Sequence, residues 1–229
     1  MAAGPHRVSH TGSSEAVEDY VKAIYSLQNR TGEPVATNDL ADRLQVTPAS
    51  ASGMIKKLAD LGLVAHVPYR GVQLTEEGER LALEVLRHHR LLELYLATQL
   101  DVPWDRVHEE AEALEHVLSE DLEARIAAKL GNPTHDPHGD PIPTADGEID
   151  EAPTRALSDL EPGARGVFVR VSDSDPDMLR YLADRGIAPG DRFEVVAREP
   201  FEGPLTVLFA GSSHVLGGAL THAMRTVGL

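Results

Sequence analysis

The 229-residue sequence predicts a multidomain α+β protein, and three observations predict it. Residues 15–61 carry three amphipathic helical segments followed by a short hairpin pattern. Residues 76–131 are helical with one strongly apolar side. Beyond a proline-rich stretch at 132–153, the pattern changes to short β-rich runs.

In the first region, Val17, Tyr20, Val21, Ile24, Tyr25 and Leu27 repeat with a helical period. Ser13 or Ser14 can cap this helix, and Gly32 and Pro34 end it. A second short helix opens at Thr37-Asn38-Asp39, with Leu40, Ala41 and Leu44 facing inward. After Gln45-Val46, Thr47 followed by Pro48 reads as a cap with proline at the first helical position. This third helix runs to about Leu61, burying Ala51, Ile55 and Leu58, and Gly62 stops it. Residues 63–67 and 72–75 form two extended runs around Pro68-Tyr69-Arg70-Gly71. Helix, helix-turn-helix and hairpin in that order predict a winged helix-turn-helix domain over residues 1–75.

A long helix follows from Thr75 to about Gln99, a second from Pro103-Trp104 to about Leu118, and a third, capped by Ser119, ends at Leu130-Gly131. Leu91, Leu92, Leu94, Leu96, Leu114, Val117, Leu118, Leu122 and Ile126 give this region more apolar surface than so small a unit buries alone. A homodimer interface is its expected use. Residues 76–140 are therefore read as a helical dimerisation domain and 141–153 as a linker. Residues 154–229 carry β runs at 166–171, 192–196, 205–209 and 214–216, with a short helix at 176–184. They predict an SH3-like small β-barrel.

The composition narrows the function. The chain has no cysteine, which excludes disulfides and thiolate metal sites. No apolar run reaches the ~18 residues of a membrane span, and residues 1–14 read as a polar, disordered lead without a signal peptide. A cytoplasmic protein without a membrane partner is expected. The net charge of −16 argues against DNA binding until it is divided along the chain. Residues 1–75 hold seven basic and seven acidic side chains, so the surplus lies wholly in residues 76–229.

Part of that surplus is ordered. On a continuous helix, His108, Glu112, Glu115 and His116 fall at i, i+4, i+7 and i+8, along one face; His89 and Glu93 form another i, i+4 pair. Spacing alone leaves two readings open, a solvated acidic face or a cation site. Oxygen and imidazole without sulfur suits Mn(II) or Fe(II) and disfavours a closed structural zinc site.

Four segments carry a resemblance: Glu18-Asp19-Tyr20-Val21-Lys22-Ala23-Ile24-Tyr25, Val46-Thr47-Pro48-Ala49-Ser50-Ala51-Ser52, His88-His89-Arg90-Leu91-Leu92-Glu93 and Glu112-Ala113-Leu114-Glu115-His116. With Pro137-His138-Gly139-Asp140-Pro141-Ile142-Pro143, they make the chain resemble the diphtheria toxin repressor family of metal-dependent regulators, and within it the manganese-responsive members. The resemblance implies a primary metal site of Asp19, Glu112, Glu115 and His116, and an ancillary site of His89, Glu93 and His108. Iron-responsive members have sulfur ligands where Asp19 and Glu112 stand, so the resemblance favours Mn(II), with Fe(II) second. Some manganese members have a glutamate where this chain has Lys22, which implies two separate sites here instead of a bridged pair. Some members also donate a ligand from the C-terminal, FeoA-like domain; Ser172-Asp173-Ser174-Asp175 is the matching region, without an assigned ligand.

The implied function is a metal-dependent, DNA-binding repressor of metal-homeostasis genes. It would act as a homodimer on a palindromic double-stranded operator whose half-sites lie about one helical turn, ~34 Å, apart. Thr47, Ser50 and Ser52 are the expected base-contacting residues, with Lys56, Lys57 and Arg70 on phosphates. No catalytic residue is expected. The alternatives are a winged-helix regulator answering a non-metal signal and a metal-dependent hydrolase. Against the hydrolase stand the absence of a nucleophile elbow and of a glycine-rich phosphate loop.

Overall fold

The computed structural model describes residues 14–67, 69–150, 152–173, 175–201 and 203–228. The expected disordered lead, except Ser14, lies outside the described residues, as do the alternative cap Ser13, Pro68 of the hairpin turn and Ser174. The chain forms two units. The first holds the described residues up to His88 with Glu115–Arg125 and Pro143–Gly147. The second holds His89–Leu114, Ile126–Ile142 and the described residues from Glu148 onward.

In the first unit, α1 (Glu15–Thr31), α2 (Thr37–Arg43) and α3 (Pro48–Asp60) precede an antiparallel hairpin of β1 (Val64–Val67) and β2 (Gly71–Leu74). Ser14 occupies the N-cap of α1, but its side chain makes no capping bond; the backbone carbonyl receives Val17 N at 2.7 Å. At the other end, Gly32 takes the left-handed conformation (φ 69°) and donates to Gln28 O at 2.7 Å, the cap that glycine makes cheaply. Thr47 caps α3 as expected, accepting from Ser50 N at 3.2 Å. Val17, Val21, Ile24, Leu40, Ala51 and Leu58 meet in one core. The hairpin is tied to residue 35 by a bridge, Val35 to Val72, where Gly71 runs against the Val35 carbonyl and leaves no room for a Cβ. This is the winged helix-turn-helix.

Helix α4 (Glu76–Gln99) belongs to both units. The helix expected from Pro103 to about Leu118 is shorter. α5 spans Val107–Leu114, a 3-10 turn takes Glu115–Val117, and α6 follows at Glu120–Lys129. Glu115 and His116 therefore leave the continuous helical face that the spacing implied, because a 3-10 turn advances by about 120° per residue. Leu91, Leu92, Leu96 and Ile126 are buried, whereas Val117 (78% exposed) and Leu122 (48% exposed) stay open.

The second unit contains a six-stranded antiparallel sheet in the order β3-β8-β4-β5-β6-β7. The strands are β3 (Arg155–Ala156), β4 (Arg165–Val171), β5 (Arg192–Arg198), β6 (Leu205–Phe209), β7 (Ser212–Leu216) and β8 (Met224–Gly228). Register shifts in β4 and β5 bend the sheet around Leu157, Phe168, Val195, Val207 and Leu216. α7 (Pro176–Ala183) is capped by Asp175, and α8 (Gly218–Ala223) precedes β8. The sequence reading lacked β3, α8 and β8. The buried alternation of Met224 and Thr226 is the signal β8 carried.

Residues 132–142 have no helix or strand yet are fixed. Asp136 Oδ1 accepts from His138 N and Asp140 N at 2.9 Å each, and Val171 N donates to His138 O at 3.0 Å. Gly139 (φ 87°) lies against the Val169 carbonyl, so a side chain there would collide. His138 and Ile142 are buried. A segment that reads as a loose loop is thus part of the second unit's interior.

Candidate metal centres and nucleic-acid interface

Within the first unit, α1 and the 3-10 turn bring Asp19, Glu115 and His116 together, with ligand atoms all within 4.8 Å of one another. His116 Nε2 lies 3.0 Å from Asp19 Oδ1 and 3.5 Å from Glu115 Oε1. Its other nitrogen, Nδ1, is 2.7 Å from Glu18 Oε2. A carboxylate only accepts, so Nδ1 carries the proton and Nε2 is turned toward Asp19 and Glu115. Burial disfavours the imidazolium, but Glu18, Glu115 and Asp19 outweigh it and raise the His116 pKa. Glu115 is buried and paired with Lys22 at 2.5 Å. Glu112, the fourth expected member of this site, belongs to the second unit, 3.7 Å from His108 Nε2.

Within the second unit, His89 and Glu93 of α4, His108 of α5 and Asp173 after β4 converge. His89 Nε2 lies 3.0 Å from Glu93 Oε1 and 3.1 Å from His108 Nδ1. His108 Nδ1 is also 3.3 Å from Glu93 Oε1 and 3.1 Å from Asp173 Oδ2. Two ring nitrogens and two carboxylates aimed at one point need a shared proton or a cation between them. The Asp173 hydrogen bond, then that of Glu93, pushes the His108 pKa up to about 10 against the cost of burial. For Glu93, burial raises the pKa, but the neighbouring His108, His138 and His89 rings hold it well below the carboxylate range.

His138 adds a layer beneath this cluster. Its Nε2 donates to Trp104 O at 2.7 Å, its ring stacks on Trp104, and its Nδ1 stands 3.7 Å from Glu93 Oε2. Both Glu93 Oε2 and His138 Nδ1 are buried without a hydrogen-bond partner among the described residues. Burial lowers the His138 pKa, but Glu93 and Asp136 more than compensate and raise it to about 9.

Both clusters offer carboxylate oxygen and imidazole nitrogen with no sulfur, so their chemistry fits a divalent cation of the manganese or ferrous type. Glu18, Asp173 and His138 extend the expected residues. Glu18 stands beside Asp19 in the same motif, and Asp173 lies in the four-residue region without an assigned ligand. His138 carries no spacing signal, because its role depends on the fold of the 132–142 loop.

On α3, Thr47, Ser50, Ser52, Lys56 and Lys57 are all exposed, which keeps them available to a groove. Arg70 on the hairpin is exposed and ion-paired with Glu33. The Thr47 hydroxyl is shared between its capping role and a 2.9 Å contact with Ser50 Oγ. Next to Arg70, Tyr69 stands fully exposed with a positive φ of 62°. The sequence places it only in the hairpin turn.

Comparison with known proteins places the chain in a family. Residues 13–72 match the N-terminal DNA binding domain of the iron dependent repressors, 75–144 their metal binding and dimerisation domain, and 155–224 the FeoA domain. The iron-dependent repressor IdeR of Mycobacterium tuberculosis is 32% identical over 224 residues, covering 92% of this chain and 96% of that protein. The diphtheria toxin repressor of Corynebacterium glutamicum is 30% identical, covering 92% and 95%. A solved structure of a manganese-dependent transcriptional repressor in complex with manganese is 45% identical, with a TM-score of 0.87 over 93% of this chain and all of that one. The manganese regulator SloR is 29% identical, with a TM-score of 0.74 over 93% and 98%. With this identity over nearly its whole length, the chain belongs to the iron-dependent, or diphtheria toxin, repressor family of metal-dependent, DNA-binding transcriptional repressors.

Proposed function

We propose that the co-repressor of this chain is Mn(II), with Fe(II) second, and that the metal-loaded homodimer acts in the cytoplasm on a palindromic operator of metal-homeostasis genes. The observation carrying this reading is a pair of sulfur-free donor clusters, Asp19–Glu115–His116 and His89–Glu93–His108–Asp173. Glu112 is assigned to the first as its fourth ligand. The manganese-bound relative, 45% identical, supports the choice of cation. No helix among the described residues is long and apolar enough to cross a membrane.

The division of labour follows from which elements hold the ligands. Residues 1–75 read DNA through Thr47, Ser50 and Ser52, with Lys56, Lys57 and Arg70 on phosphates. Residues 76–140 supply most ligands and the dimer contact, to which exposed Val117 and Leu122 contribute. Residues 141–153 connect to 154–229, whose Asp173 completes the second cluster. A bound cation neutralises carboxylates that otherwise repel one another. Asp19 then fixes α1, and with it the DNA-reading core, to the Glu115–Val117 turn, while Glu18 keeps His116 Nε2 aimed inward. Moving a regulator from mostly unbound to mostly bound demands ~5 kcal/mol of preference for the competent state. Two sites per subunit in a dimer share that demand.

The test is binding of chelator-stripped protein to its own upstream DNA, titrated with Mn(II), Fe(II) and Zn(II), beside a Glu115→Ala, His116→Ala variant. DNA binding that appears with Mn(II) and disappears in the variant is expected. Equal binding with and without metal would overturn the reading.

A further inference from the structure

A third group of donors lies in the first unit: His88 at the unit's end of α4, and Glu120 and Glu123 on α6, with ligand atoms within 4.8 Å of one another. Neither the Asp19 cluster nor the Asp173 cluster uses these residues. His88 and Glu123 are buried; Glu120 is exposed.

The hydrogen bonding around His88 sets its tautomer. His88 Nδ1 lies 3.3 Å from the backbone oxygen of Glu115, and a carbonyl only accepts, so Nδ1 is the donor. Nε2 then points to the interior. That atom is fully buried and has no hydrogen-bond partner among the described residues, although Glu123 Oε2 stands 3.4 Å away. A buried imidazole nitrogen left without a partner is costly. A ring nitrogen and a carboxylate this close need a proton or a cation between them.

Glu123 is held facing that nitrogen. Its Oε1 accepts from Arg87 Nε at 2.7 Å, and Arg87 is itself anchored by donating from Nη1 to Pro143 O at 2.7 Å. Arg87 therefore orients the carboxylate with Oε2 turned toward His88, as outer partners do for metal-binding carboxylates. Glu120, one helical turn away from Glu123, faces water and leaves the group open on one side.

We propose that His88, Glu120 and Glu123 form a third divalent-cation site, distinct from the two that carry the proposed function. One imidazole and two carboxylates with an open side suit a first-row cation that keeps waters in its remaining positions. Through the bond from His88 Nδ1 to the Glu115 carbonyl, a cation here would also steady the turn that carries Glu115 and His116. The inference does not require either of the other sites to be a co-repressor site.

The measurement is equilibrium dialysis of the chelator-stripped full-length chain against Mn(II), with metal analysis, repeated with Co(II) for its visible spectrum. The parent is expected to bind three equivalents. Glu120→Gln, an exposed change, and His88→Gln are each expected to lose one equivalent. A His116→Ala, His108→Ala variant should keep one cation, whose Co(II) spectrum disappears when Glu120→Gln is added. A Glu120→Gln chain that binds as many equivalents as the parent overturns the third site. Failure of metal-dependent DNA binding would instead strike the co-repressor reading, so the two outcomes separate.

Discussion

In the Asp19 cluster the carboxylate of Glu115 already has a cation, Lys22, whereas in the Asp173 cluster the positive charge around Glu93 comes from imidazoles. On the proposed reading, a metal in the first must compete with an ammonium on α1. In the second it must compete with protons. Lysine keeps its charge through the physiological range and imidazole does not, so the same cation meets two different kinds of resistance in one chain. Ionic competition should therefore add to proton competition at His116 in the first cluster, while protons alone oppose the metal in the second.

The contrast breaks most severely at Glu93. This carboxylate is fully buried and lies close to His89, His108 and His138. Glu93→Ala leaves buried positive charge uncompensated, and removing one partner of such a pair costs about 3–5 kcal/mol. The metal-free variant is expected to melt well below the parent and to lose one metal equivalent. An unchanged melting temperature would mean that the imidazoles around Glu93 are not charged in the folded chain.

A smaller effect is expected at Glu18, which acts on the first cluster alone. Glu18→Gln removes the carboxylate that receives His116 Nδ1–H at 2.7 Å. Outer partners of this kind are worth about 10- to 100-fold in metal affinity. Mn(II) titration should show that loss at the first cluster with the second unchanged. Equal weakening at both would show a general loss of stability instead.

How much of this was legible in the sequence follows the same contrast. The winged helix-turn-helix was readable because its signals are local: the Thr47-Pro48 cap, the Gly32 stop and the helical period of Val17, Val21 and Ile24. His89 and Glu93 were readable as an i, i+4 pair on one unbroken helix. The stripe from His108 to His116 misled in part, since it assumed a helix that becomes a 3-10 turn at Glu115. Asp173 and His138 lie in segments the resemblance picks out, but the sequence gives neither a role. Each lies on a loop whose path depends on long-range bonds, such as Val171 N to His138 O, and no periodicity records such a path.

Acidity should separate the clusters next. His108 has its pKa raised from 6.5 to about 10 by Asp173 and Glu93. In the metal-free chain, its stabilising contribution is therefore complete below pH 6.5 and is lost as the pH rises toward 10. Cation binding has to expel that proton, so Mn(II) affinity at the second cluster should climb with pH, by about tenfold per unit for each proton released. Isothermal titration in buffers of different ionisation enthalpy, between pH 6.5 and 8.5, would count the protons. No proton release would sink this account of the second cluster. Asp173→Asn weakens the hold on the proton and exchanges an anionic donor for a neutral amide oxygen. The pH dependence should then flatten while affinity falls by about tenfold.

The smallest effect expected, and the sharpest for the comparison, belongs to Lys22. Its Nζ sits 2.5 Å from Glu115 Oε1, with the lysine head group largely covered. In water such a pair contributes about 0–1 kcal/mol, and partial burial makes it more costly to break. Mn(II) entering the Asp19 cluster must part Lys22 from Glu115 and then tolerate an ammonium nearby. Lys22→Gln removes both penalties and keeps a side chain of similar length and polarity. It should strengthen Mn(II) binding at the first cluster a few-fold, reduce the salt sensitivity of that binding, and leave the second cluster's pH dependence as it was. Weaker binding in Lys22→Gln would reverse the inference. The lysine would then be holding Glu115 in the orientation the cation needs, and the two clusters would differ in architecture but not in what resists the metal.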